Sequence, residues 1–194
     1  MNKLAALCLV GLLPRLWLAW QSTDVLAGRL TADDFYYYLT IARNVAGGHG
    51  PTFDGLGPTN GFHPLYMLAL TPLMAVAGGD RALGVHLALT LVAVLDVLAA
   101  AGLYALVARR VSAAAGFVAA LAWLANPWAM TTALHGVESS LYLLLALAVL
   151  AVYLPRAAAV WRGERTALAV GALAGLAVLG RTDGLCLVAA ILLD

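Results

Sequence analysis

The sequence predicts an all-α fold, a polytopic transmembrane helix bundle with an amphipathic interfacial helix in a long first outer loop. Composition is the first reason. Of 194 residues 63% are hydrophobic and 11% charged, whereas soluble domains run roughly 45–50% apolar and about 25% charged. The second is that the apolar residues fall into long runs, at 4–20, 64–78, 82–108, 111–132, 138–155 and 166–194. The third is that basic and acidic residues segregate between the intervening loops. Such hydrophobicity also excludes disorder. A net charge of +1 leaves no basic surplus for nucleic acid. Cys8 and Cys186 lie inside apolar runs and read as small core residues, not as a disulfide or a zinc site.

A spanning helix needs about 20 residues. Segments 82–108, 111–132 and 138–155 meet that length. Segment 4–20 meets it despite Pro14 and Arg15. A cleaved signal peptide is the rival reading there, since Lys3 precedes a short apolar run, but Trp17 and Trp20 extend the run with interfacial aromatics. Segment 64–78 is short and carries Pro72. Segment 166–194 is too long for one span and is broken by Arg181-Thr182-Asp183-Gly184.

Basic residues decide whether 64–78 crosses. Lys3 precedes the first span, Arg109 and Arg110 separate two spans, and Arg156, Arg162 and Arg165 separate the next pair. Short basic loops stay cytoplasmic. All three groups share that side only if 64–78 lies in the interface, where Tyr66 and Met67 would anchor it at headgroup level. Residues 21–81 then form one outer loop and 132–138 another. Six of the ten acidic residues and three of the four histidines fall on that outer face.

Within the outer loop, Thr31-Ala32-Asp33-Asp34 reads as a helix start with Thr31 as N-cap. Phe35, Tyr38, Leu39, Ala42 and Ala46 recur at helical spacing, and Gly47-Gly48 ends the run, so 32–46 is an amphipathic helix. Asp33 and Asp34 either serve the helix dipole or form a functional pair, which is costly to hold beside lipid. Residues 47–63 are Gly/Pro-rich and read as an ordered turn or a mobile lid. His49, Asp54 and His63 match no standard metal spacing.

Three further polar positions stand out. Glu138 is either a first-turn dipole partner or a second acid facing the same outer cavity as Asp33 and Asp34. Asp96, in mid-span, is read as hydrogen-bonded between helices. Arg181, near the outer end of its segment or at a broken-helix tip, either binds an anionic phosphate or is neutralised by Asp183.

The stretch TADDFYYYLTIARNVAGGHGPTFDGLGPTNGFHPLY (31–66) resembles the first outer loop of C-type integral-membrane glycosyltransferases (GT-C). The bacterial relatives of protein O-mannosyltransferases and aminoarabinose transferases are the nearest in pattern. Asp33-Asp34, Ala42-Arg43-Asn44, Gly48-His49-Gly50 and His63-Pro64-Leu65-Tyr66 fill the motif positions. LHGVESSLY (134–142) and LGRTDG (179–184) resemble two later segments. Thr182 departs from the pattern, standing where the family often has proline.

The resemblance implies transfer of a sugar from a polyprenyl-phosphate donor to an acceptor hydroxyl on the outer face of a bacterial inner membrane. The protein would be multi-pass, with a cytoplasmic N-terminus. Asp33, with Asp34 beside it, maps to the loop acid, acting as general base or as ligand of a divalent metal near the donor phosphate. Arg181 maps to the phosphate-binding residue, Glu138 to an accessory acid and His63 to a loop-positioning residue. Arg43 is carried with them as substrate-binding. Partners would be the lipid-linked donor, a glycan, lipid or protein acceptor, and membrane lipids. Family members run to several hundred residues, so the chain is expected to be an N-terminal portion. A transporter module built on Asp96, Arg181 and Asp183 and a non-catalytic envelope-assembly scaffold are the alternatives.

Overall fold

A computed structural model of the chain describes residues 3–155 and 163–194. Arg156 and Arg162, used above for topology, lie outside the described residues. Among the described residues the chain forms ten α-helices and no strand, with one isolated bridge between Thr52 and Pro58. The all-α expectation holds.

The first helices build the outer-loop side. Helix α1 (Lys3–Ala19) tolerates Pro14, and α2 (Thr23–Arg29) turns away from it by 100°. Helix α2 is an element the sequence reading placed in loop. Helix α3 (Asp33–Ala46) matches the expected amphipathic helix, but its N-cap is Ala32, not Thr31. The Thr31 hydroxyl is occupied elsewhere, by Leu26 O at 3.0 Å and Tyr36 Oη at 3.0 Å. Helix α4 (Pro64–Ala77) starts with proline at its first position and ends at Gly78 in the left-handed region. Tyr66 and Met67, expected at headgroup level, are instead 0% and 5% exposed. They face the core that α3, α4 and the start of the next helix share with Phe35, Leu39, Leu70 and Leu89. The interior won because a tyrosine ring contributes large apolar area, and its hydroxyl finds a partner there.

Helix α5 (Arg81–Arg110) is 30 residues long. Asp80 caps it by accepting from Leu83 N at 3.0 Å. Among the described helices it alone is long and apolar enough to cross a membrane, and counting each bent pair as one span brings the number to three. Segment 111–132, expected as a single span, is two helices, α6 (Ala113–Ala125) and α7 (Pro127–Leu134), bent by 60°. Asn126 and Pro127 cause the break. Asn126 Oδ1 accepts from Trp128 N and Ala129 N, and proline restricts the residue before it to extended backbone. Helix α8 (Ser139–Tyr153) has 15 residues. Segment 166–194 is broken where expected, into α9 (Glu164–Gly180) and α10 (Gly184–Leu193).

Inside the bundle, Arg15 and Asp96 pin α1 to α5. Arg15 Nε donates to Asp96 Oδ2 at 2.7 Å, and Trp123 Nε1 of α6 donates to the other carboxylate oxygen at 3.0 Å. Arg15 Nη1 reaches Gly11 O and Leu124 O. Two ionisable groups that would each be prohibitive alone are held because their charges offset each other, although Arg15 Nη2 is buried without a hydrogen-bond partner among the described residues.

Candidate functional site

Helix α3 presents Asp34, Tyr37 and Tyr38 on one side, at one-turn spacing. Opposite them stand the loop before α8 and the break between α9 and α10. A cavity of about 340 Å³ lies between, lined by Asp34, Tyr37, Tyr38, Gly61, His63, Val137, Glu138 and Arg181. Four sequence-distant segments therefore meet at one place.

Glu138 is the hub and is only 5% exposed. Its Oε1 accepts from Arg181 Nη1 at 3.0 Å and lies 3.6 Å from His63 Nδ1. It stands at the N-cap of α8 without a side-chain cap bond and lines one cavity with Asp34. Arg181 also donates through Nε to Asp183 Oδ2 at 2.6 Å and through Nη1 to Ser139 Oγ at 3.4 Å. Asp183 thus neutralises Arg181 in part, and Arg181 Nη2 makes no hydrogen bond among the described residues.

His63 sits at the N-cap of α4. Its backbone N–H donates to Tyr38 Oη at 3.2 Å, and Tyr38 Oη lies 2.7 Å from Nδ1. The other ring nitrogen, Nε2, lies 3.1 Å from Thr182 Oγ1, so His63 links α3 to the break between α9 and α10. Burial pushes the Tyr38 hydroxyl well above the usual phenol range, with the Glu138 charge adding to it. Tyr38 thus stays a donor across ordinary pH.

The backbone locks this arrangement. Ala32 N donates to His135 O at 3.1 Å, and Tyr66 Oη donates to Gly136 O at 2.5 Å. Gly136 has φ of +80°, and a Cβ there would strike the Phe35 ring; only glycine satisfies both demands. The Gly/Pro-rich loop is the ordered turn. Asn44 Nδ2 donates to Thr52 O at 2.6 Å, Asp54 Oδ1 accepts from Leu56 N at 2.9 Å, and Tyr37 Oη pairs with Thr59 Oγ1 at 2.7 Å.

Of the residues singled out from sequence, Asp34, His63, Glu138 and Arg181 come together. Asp33 is exposed on the first turn of α3, beside the cavity lining, with its Oδ1 accepting from Asp34 N. Arg43 lines a separate groove. Tyr38, Thr182 and Ser139 were missed. Tyr38 reads as one of the apolar stripe, although its position four residues after Asp34 was the available signal. Among the described residues no group of three or more His, Cys, Asp or Glu side chains is placed to hold a metal ion. Asp33 and Asp34 alone would leave most of a divalent ion's coordination shell to other donors.

No curated protein sequence and no solved structure matches the chain. The family model for dolichyl-phosphate-mannose-protein mannosyltransferases matches residues 62–193. The match starts just before His63 and includes Glu138 and Arg181, while Asp33 and Asp34 precede it. It spans more than half of the sequence, and the chain belongs to the dolichyl-phosphate-mannose-protein mannosyltransferase family.

Proposed function

We propose that the protein carries the site of a glycosyltransferase that moves a sugar from a polyprenyl-phosphate donor to an acceptor hydroxyl at the outer membrane face. The observation that carries the reading is the meeting of Asp34, His63, Glu138 and Arg181 around one cavity, three of them within the family match. Arg181 is held by two carboxylates and keeps Nη2 for an incoming oxygen. This is the posture of a phosphate-binding arginine, because a guanidinium fixed in place loses little entropy when its ligand arrives.

The chemistry follows from charge. The acceptor oxygen attacks the anomeric carbon while its proton passes to a carboxylate of the Asp33–Asp34 pair. The bond from that carbon to the phosphate oxygen breaks, and the electron pair leaves with the phosphate, whose charge Arg181 balances. Attack and departure on opposite faces give inversion. Asp34 lines the cavity and is the better placed base. Glu138 holds Arg181 in place. A divalent ion near the donor phosphate would share the charge with Arg181, and no step here requires it.

The test is release of polyprenyl phosphate from polyprenyl-phosphate-mannose in membranes containing the protein. Asp34→Asn is expected to abolish release while donor binding persists. Arg181→Gln is expected to lose donor binding. Wild-type release by both variants would overturn the reading. Release lost in Asp33→Asn and kept in Asp34→Asn would move the base by one residue.

A further inference from the structure

The face of α3 opposite the site carries Tyr36, Thr40 and Arg43. Successive residues rotate by about 100°, which puts Arg43 and Tyr36 roughly half a turn away from Asp34. A groove of about 440 Å³ runs along this face against α2 and the first turn of α5. Its polar side holds Arg43 and Arg81, and its floor is Leu39, Ala82 and Val85.

Neither guanidinium has a carboxylate within salt-bridge distance, and neither side chain makes a hydrogen bond among the described residues. Arg43 is half-buried, and Arg81 is exposed. Burial, and then the charge of Arg81, weakens the hold of Arg43 on its proton, so the two cations sense each other. Asp24 also lines the groove and leaves it with one excess positive charge. Two like charges facing one groove, with one carboxylate between them in the balance and no ion pair to either, cost free energy that a bound anion would recover. Arg81 opens the longest apolar helix, which among the described helices is long and apolar enough to cross a membrane, and a groove at the end of such a helix is in reach of lipid headgroups.

From this geometry we infer that the groove is a second anion site, distinct from Arg181, which holds a phosphate group between Arg43 and Arg81. The phosphate belongs either to an anionic phospholipid, whose glycerol and upper acyl carbons cover the exposed Ala27 and Ala82, or to free phosphate. The inference does not rest on the transferase reading.

The experiment uses the whole protein, purified and reconstituted in phosphatidylcholine nanodiscs with or without phosphatidylglycerol. Native mass spectrometry counts retained lipid. The wild type should retain phosphatidylglycerol over phosphatidylcholine, and Arg43→Gln/Arg81→Gln should weaken that retention about tenfold or more, as loss of charge-assisted hydrogen bonds predicts. In a second arm, inorganic phosphate is compared with chloride at equal ionic strength. A phosphate-dependent rise in melting temperature without lipid preference identifies free phosphate as the source. A third arm needs no variant. Phosphatidylglycerol or phosphate should protect Arg43 and Arg81 of the wild type from phenylglyoxal, read peptide by peptide. Protection confined to Arg181, or equal modification with and without either ligand, would overturn the site.

Discussion

Two arginine–carboxylate pairs in this molecule have nearly the same geometry and opposite meanings. Arg15 and Asp96 meet at 2.7 Å with their side chains 0% and 2% exposed. Arg181 and Glu138 meet at 3.0 Å, but the arginine is 35% exposed. The first pair lies between helices in an apolar bundle, where Trp123 takes the second carboxylate oxygen and Arg15 Nη2 is buried without a hydrogen bond among the described residues. The second stands at a helix break beside a cavity and keeps a free guanidinium nitrogen. An ion pair between packed helices is a fastener. The same pair at a broken helix is a site, because its unpaired nitrogen opens on a cavity that a ligand can reach, whereas that of Arg15 is sealed in the bundle.

The largest effect comes from breaking the fastener. Asp96→Ala strands the Arg15 charge and should cost about 3–5 kcal/mol, read as loss of the folded protein in detergent melting. Arg15→Met combined with Asp96→Leu should recover most of that loss, because the cost is the unpaired charge and not the missing attraction. The same treatment sharpens the contrast at the other pair. Arg181→Gln should lower transfer about 10²–10³-fold and cost less stability than Asp96→Ala, about 1–3 kcal/mol, because it leaves the buried Glu138 carboxylate without its arginine while the arginine itself is part-exposed.

A smaller effect is expected at Gly136. Alanine there meets the Phe35 ring at a positive φ and should cost about 1–3 kcal/mol, with transfer falling as α3 is pushed off the loop. Melting and turnover measured on the one variant check both. The smallest effect concerns pH. The backbone N–H groups of Leu56 and Gly57 hold the Asp54 carboxyl below the ordinary carboxylate range. Loop order that depends on Asp54 is complete above the unfolded value and is lost as pH falls through the lowered one. Hydrogen exchange at residues 55–58 should show that acid loosening in the wild type, and Asp54→Asn should remove its pH dependence.

Much of the fold was legible because apolar period and length are local properties. Helix α3, the long α5 and the break at Arg181 all follow from residues within a few positions of one another. The break at Asn126-Pro127 was equally local and was passed over, because the run around it is apolar enough to hide a capping pair. Tyr66 and Met67 illustrate a different loss. Their sequence suits an interfacial anchor, and only the packing of α3 against α4 shows that they are interior. In the site, Asp34, His63, Glu138 and Arg181 were visible as polar residues out of place in apolar or glycine-rich surroundings. Their convergence, and the part of Tyr38 in it, depends on contacts between residues 25 to more than 100 positions apart. The partner of Asp96 was hidden for the same reason, 81 residues away at Arg15.

The turn at residues 52–58 closes on itself through Thr52, Asp54 and Pro58, and Leu56 at its tip is 91% exposed. A segment that carries its own hydrogen bonds and lends none of its tip to the core is a natural insertion point. A short hydrophilic epitope placed after Leu56 should leave α3 and α4 undisturbed. It would also serve as a sidedness reporter, since antibody binding to intact spheroplasts would occur only with the loop facing outward.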